Sequence, residues 1–142
     1  MGLRVSVMSG LAVLTAVAGL AMAAPASATT FPPPGYFLCR TSDVYADGLY
    51  VHTCITGDGG NTLRAVASTR GSNNTSITLC AEVVDVYQNV VPGSRHCAVV
   101  PGPTGTVWSN PVGVRAGVYY GVSYFTSPTY YYGGETPQAS VS

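Results

Sequence analysis

Short runs rich in Val, Ile, Thr and Tyr recur along this chain, separated about every ten residues by clusters of Gly, Pro, Asn and Asp. No window repeats apolar residues at the helical period between caps, so the pattern is that of strands and turns. Strands are predicted over 36–40, 49–55, 63–69, 76–87, 94–100, 104–109 and 117–126, with a short eighth over 130–132. The separators carry turn chemistry: Asp47-Gly48, Gly57-Asp58-Gly59-Gly60-Asn61, Gly71-Ser72-Asn73-Asn74, Pro92-Gly93 and Pro101-Gly102-Pro103. Seven or eight strands in this length predict an all-β, antiparallel β-sandwich of immunoglobulin-like size, with a small closed β-barrel as the alternative.

Alternation assigns faces. In the strand over 76–87, Ile77, Leu79, Ala81 and Val83 point one way, and Thr78, Cys80 and Glu82 the other, which reads as the wetter side. Over 117–126, Val118, Tyr120, Val122 and Tyr124 share one face, and Tyr119 and Phe125 take the opposite one. Both faces of this strand are therefore aromatic, whereas a sandwich strand normally buries only one.

The first 28 residues follow another pattern. Arg4 precedes an apolar run over 5–24, Pro25 ends it, and Ala26-Ser27-Ala28 is the small-x-small site that a signal peptidase reads. Residues 1–28 are expected to be a cleavable secretion signal, followed by a proline-rich segment over 29–35, one domain over 36–134 and a polar tail over 135–142. The expected product is extracellular, with no membrane attachment after cleavage. All six basic residues are arginine, a bias that suits a GC-rich bacterial genome. In that setting the two overlapping acceptor motifs at Asn73 and Asn74 read as a polar turn.

Past residue 28, five arginines at 40, 64, 70, 95 and 115 face six acids and are scattered singly. A nucleic-acid partner is thereby disfavoured, because such binders gather their cations into a stripe. The four cysteines predict two disulfides in an oxidising compartment, and hairpin spacing favours the local pairs Cys39–Cys54 and Cys80–Cys97.

Catalytic and metal constellations are thin. His52 and His96 lie close to cysteines, but no Cys-x-x-Cys pair announces zinc. Asp58 and Asn61 lack calcium-loop spacing, so no cofactor is expected. Ser94, His96 and Asp85 have no nucleophile elbow around the serine. A ribonuclease-like hydrolase with Glu82 as base, His96 as acid and Arg95 as anion clamp is the enzymatic alternative, and a structural envelope or coat component is another. The leading expectation is a non-enzymatic module that binds an extracellular protein or glycan. Six of the ten tyrosines fall within residues 117–134, so the expected binding surface is aromatic and C-terminal: Trp108, Tyr119, Tyr130, Tyr131 and Tyr132.

Overall fold

The computed structural model describes residues 34–142, so the expected signal over 1–28 lies outside the described residues. Eleven strands form in chain order: β1 (Phe37–Cys39), β2 (Val44–Ala46), β3 (Leu49–Gly57), β4 (Thr62–Gly71), β5 (Ser76–Asp85), β6 (His96–Pro101), β7 (Thr106–Trp108), β8 (Val112–Gly113), β9 (Gly117–Ser127), β10 (Tyr131–Glu135) and β11 (Ala139–Val141). Among the described residues the sole helical element is the single 3-10 turn Gly102–Thr104.

Every pairing is antiparallel. The first sheet runs β1-β3-β4-β7, with β2 beside β3 and β8 beside β4; the second runs β10-β9-β5-β6, with β11 beside β9. The sheets stay separate and do not close into a barrel. They face each other as a sandwich over a core of Leu49, Val51, Ile55, Leu63, Ala65, Ala67, Ile77, Leu79, Ala81, Val83, Val107 and Phe125. The period-2 alternation that puts these residues inward also puts Tyr50, His52, Arg64 and Arg70 outward.

Three short strands depart from the expected set, and each has a local cause. Val44–Ala46 pairs with β3 through the two-residue turn Asp47-Gly48. Both turn residues have positive φ, 51° and 77°, which is the type I′ geometry whose twist suits a hairpin. Val112–Gly113 is a two-residue edge beside Thr62 and Leu63. The third is a correction to the polar tail expected over 135–142. Ala139 and Val141 are buried in the core, and β11 pairs with Gly117–Tyr119. Two apolar residues, Ala139 and Val141, each followed by a serine, are too few for alternation to stand out.

The disulfides join Cys39 to Cys54 and Cys80 to Cys97, each across a directly paired position of its hairpin. This chemistry belongs to an oxidising environment. Among the described residues no helix is long and apolar enough to cross a membrane.

The wetter side expected for Cys80 and Glu82 also needs correction. Cys80 is fully buried and Glu82 nearly so. The outer face of the second sheet carries its own cluster of Cys80, Val84, Val122 and Tyr124, flanked by Tyr120 and Val90. The tyrosines of β9 lie over what alternation alone reads as solvent-facing, so β5 is covered on both sides.

Candidate functional site

The five aromatic residues expected to form one C-terminal surface separate into three places. Tyr119 and Tyr131 turn inward and pack against the main core, with Tyr131 5.4 Å from Phe125 between ring centroids. The Tyr119 hydroxyl donates to the Arg115 carbonyl at 3.0 Å. Tyr130 and Tyr132 stand on the outer side of the second sheet, 61% and 47% exposed, with Tyr130 5.8 Å from Tyr124. Trp108 lies on the other sheet altogether.

The position of Trp108 leads to a surface that sequence reasoning missed. On the outer face of the first sheet, register aligns Cys39, Cys54, Val66 and Trp108 in one row. Phe37, Thr56 and Arg64 form the next row. Phe37 meets Trp108 edge-on at 5.8 Å, and the Arg64 guanidinium lies 5.1 Å from the Trp108 ring. Arg64 Nε also donates to the Ser109 carbonyl at 3.3 Å, which fixes the plane of the guanidinium. Tyr36 stands beside this patch, 57% exposed, its carbonyl accepting a hydrogen bond from Thr56.

At the other end of the face, Tyr45 and Tyr50 pair across the β2–β3 hairpin with rings 4.9 Å apart, and Arg70 lies 5.0 Å from the Tyr50 ring. Between the two patches runs a polar row of His52, Ser68 and Thr106. Asp43 ties this row to the Tyr50 patch, because its carboxylate accepts from His52 Nδ1 at 2.7 Å and from Arg70 at 2.9 Å. Where β3 turns into β4, a shallow concavity of about 130 Å³ is lined by Thr56, Gly57, Asp58, Thr62 and Arg64. That is room for one six-membered ring.

The charges of this face balance. Arg64 and Arg70 are matched in number by Asp43 and Asp58, so donors and acceptors are interleaved and the four formal charges sum to zero. Burial acts to raise the Asp43 pKa, but the hydrogen bonds and charges of His52 and Arg70 outweigh it and hold the carboxyl below its ordinary value. A carboxylate depressed in the folded state contributes stability above its unfolded pKa and loses it as pH falls through the folded one. Wild type is therefore expected to lose more stability than Asp43→Asn as pH drops below about 4. The difference should be under about 1 kcal/mol, because the Arg70 side chain is largely in water and that of His52 is more than a third exposed. Urea midpoints measured at pH 7, 4 and 2.5 check this, and parallel pH profiles for the two proteins would refute it.

The other sequence-predicted residues take structural places. Glu82 and His96 project from opposite faces of the second sheet, because His96 pairs with Ala81 on the core side. Glu82 accepts from Arg95 at 2.5 Å and from the Tyr124 hydroxyl at 3.2 Å, while His96 Nδ1 donates to the Trp108 carbonyl at 2.8 Å. The trio thus makes no common site. Its carboxylate–arginine half braces the tyrosines of β9: burial and the nearby Glu82 charge raise the Tyr124 pKa. Ser94 is buried, its hydroxyl donating to the Val83 carbonyl and accepting from the Val83 amide. Asp85 and Asp58 each accept backbone amides within their own turns. The Cys39, His52 and Cys54 ligand atoms lie within 4.8 Å of one another, but both sulfurs are bonded to each other and Nδ1 is engaged by Asp43. This set does not suit a metal ion.

Comparison with protein-family models, with curated proteins and with solved structures returns no match. The functional reading consequently rests on the geometry.

Proposed function

We propose that this chain is a secreted, non-enzymatic binding domain, and that the outer face of its first sheet takes a neutral glycan. The observation that carries the reading is the composition of that face: two aromatic–arginine patches, a charge-balanced set of hydroxyls, carboxylates and guanidinia between and beside them, and one ring-sized concavity.

A pyranose presents apolar C–H groups on its faces and hydroxyls around its rim. Aromatic rings bury the first, and they are rigid enough to do so at small entropic cost. The second needs donors and acceptors together. Asp58 in the concavity with Arg64 supplies both, whereas an anionic ligand drawn to Arg64 would be repelled by Asp58. An open face also suits a chain polymer better than a small metabolite, which is normally enclosed over most of its surface. Charged residues make up only 8% of the sequence, so electrostatic attraction of a partner of either sign is weak. The signal-like residues 1–28 and the two disulfides both favour action outside the cell.

The reading moves the binding surface away from the C-terminal tyrosines, and of the residues first singled out it keeps Trp108. Its test is binding to a panel of insoluble and soluble neutral polysaccharides (cellulose, chitin, xylan and mannan), with Trp108→Ala as the control. Wild type should bind at least one of them. Trp108→Ala should weaken that binding by about 10-fold or more, on the scale of a lost aromatic anchor, with its thermal midpoint within a few degrees of wild type because the residue is 37% exposed and lies outside both apolar clusters. Failure of wild type to bind any neutral polysaccharide would end the proposal.

A further inference from the structure

Tyr50 and Cys54 are four positions apart on β3, and Cys54 is level with Trp108 through Val66. At strand rise, the two aromatic–arginine patches are therefore separated by about 13 Å along the strand direction. The intervening row of His52, Ser68 and Thr106 is polar, so the face consists of two stacking platforms joined by a hydrogen-bonding strip. A single pyranose cannot reach from one platform to the other.

We infer that the site is bipartite, and that its ligand is an oligosaccharide segment of three or more units lying along β3 and β4. The inference rests on the glycan reading above and adds ligand length and direction to it. One end of the chain stacks at Tyr45 and Tyr50. The middle passes over His52 and Ser68, and the other end meets Phe37 and Trp108 beside the Arg64–Asp58 concavity.

Direction follows from the layout. Across the strands, the Tyr45–Tyr50 platform lies on β2 and β3, and the Phe37–Trp108 platform already spans the sheet from β1 to β7, so a chain lying crosswise would touch one platform and then leave the protein. Lengthwise, both platforms and the polar strip are in line. Arg64 and Arg70 hold similar positions at the two ends, each laid against an aromatic ring and tethered, Arg64 by the Ser109 carbonyl and Arg70 by Asp43. That preorganisation removes rotamer entropy that binding would otherwise have to overcome. Once one platform is occupied, the second engages the same chain as an intramolecular event, so affinity should depend steeply on length.

Calorimetric titration with cello-, xylo- and chito-oligosaccharides of one to six units tests this on the intact protein. For the series that binds, affinity should rise about 10-fold or more between two and four units and then level off. In Tyr45→Ala/Tyr50→Ala the long oligosaccharide should fall to the affinity of the short one, and Trp108→Ala should do the same from the other end. Equal affinity for one unit and for five would overturn the bipartite site while leaving the glycan reading intact. Unchanged long-chain affinity in Tyr45→Ala/Tyr50→Ala would overturn the lengthwise direction. No binding at any length, together with no binding to the polysaccharide panel, would remove both readings. Tyr45 is 63% exposed, so the double variant should remain folded, and circular dichroism of each variant confirms this.

Discussion

Reducing both disulfides should unfold most of this domain at ambient temperature. The bonds close separations of 15 and 17 residues, and a loop of that size is worth about 3 kcal/mol in the chain-entropy account. Together they supply roughly 6 kcal/mol, comparable with the whole net stability of a domain near the lower end of the usual range of about 5–15 kcal/mol. Ion pairs add little to this, because only three form among the described residues, and each has a partly exposed member. The two bonds are not equivalent. Each bond has one buried half, Cys54 and Cys80, but only Cys80 belongs to a packed apolar cluster of its own, with Val84, Val122 and Tyr124 on the outer face of the second sheet. Cys80→Ala/Cys97→Ala should accordingly cost more than Cys39→Ala/Cys54→Ala, because it also removes packing beneath Tyr124. Urea unfolding followed by the single tryptophan, Trp108, measures each variant against the oxidised protein. A reduced and alkylated protein that kept its midpoint would show that the sandwich packs well enough without its staples.

Which parts of this arrangement could be read from the residues depends on how local their causes are. The local cysteine pairs were legible because two strands joined by a hairpin place residues about fifteen apart opposite each other. The inward set Ile77, Leu79, Ala81 and Val83 was legible because a one-residue slip would reverse every side chain. Asp47-Gly48 reads as a turn, and an Asp-Gly pair between apolar residues is a strong hairpin signal, but Val44–Ala46 is too short to stand out as a strand. In β9, parity correctly separated Tyr119 and Phe125 from Tyr120 and Tyr124. It could not show that β10 then adds Tyr131 to the inner set and Tyr132 to the outer one, across a bulge between Tyr132 and Gly134. The platform of the first sheet was the hardest part to see. Phe37, Arg64 and Trp108 come from three strands up to 71 positions apart, and only the register of β1, β3, β4 and β7 unites them. Parity alone shows that Tyr50, His52, Arg64 and Arg70 face outward; cross-strand alignment shows that they make a surface.

The contrast between the two faces of β9 yields the other large effect. Phe125→Ala should destabilise the domain by about 3–5 kcal/mol, the range for removing a buried aromatic from a core. Among the described residues Phe125 is the largest fully buried side chain, and it packs between the sheets against Tyr131. Its loss empties the middle of the sandwich, where β5 and β9 pair closely on one side and strands of the first sheet press from the other. Such a layered interior relaxes poorly, because each strand is held by ladder hydrogen bonds on its flanks, so a cavity should persist and carry its full cost. On the outer face the same truncation should cost far less. Tyr130→Ala removes a ring that is mostly in water and should change stability by about 0.5 kcal/mol or less. Tyr124→Ala should fall between these two, because its ring covers Cys80 while its hydroxyl completes the Glu82 and Arg95 network. Tyr124→Phe isolates the hydroxyl and should cost about 1 kcal/mol, the worth of one hydrogen bond to a charged group that keeps another partner. The order Phe125→Ala, Tyr124→Ala, Tyr124→Phe, Tyr130→Ala, read from chemical denaturation, tests whether Tyr124 and Tyr130 form a secondary packing layer. If Tyr130→Ala proved as damaging as Phe125→Ala, the outer cluster would be a second core, and the sandwich would have to be understood as three packed layers rather than two.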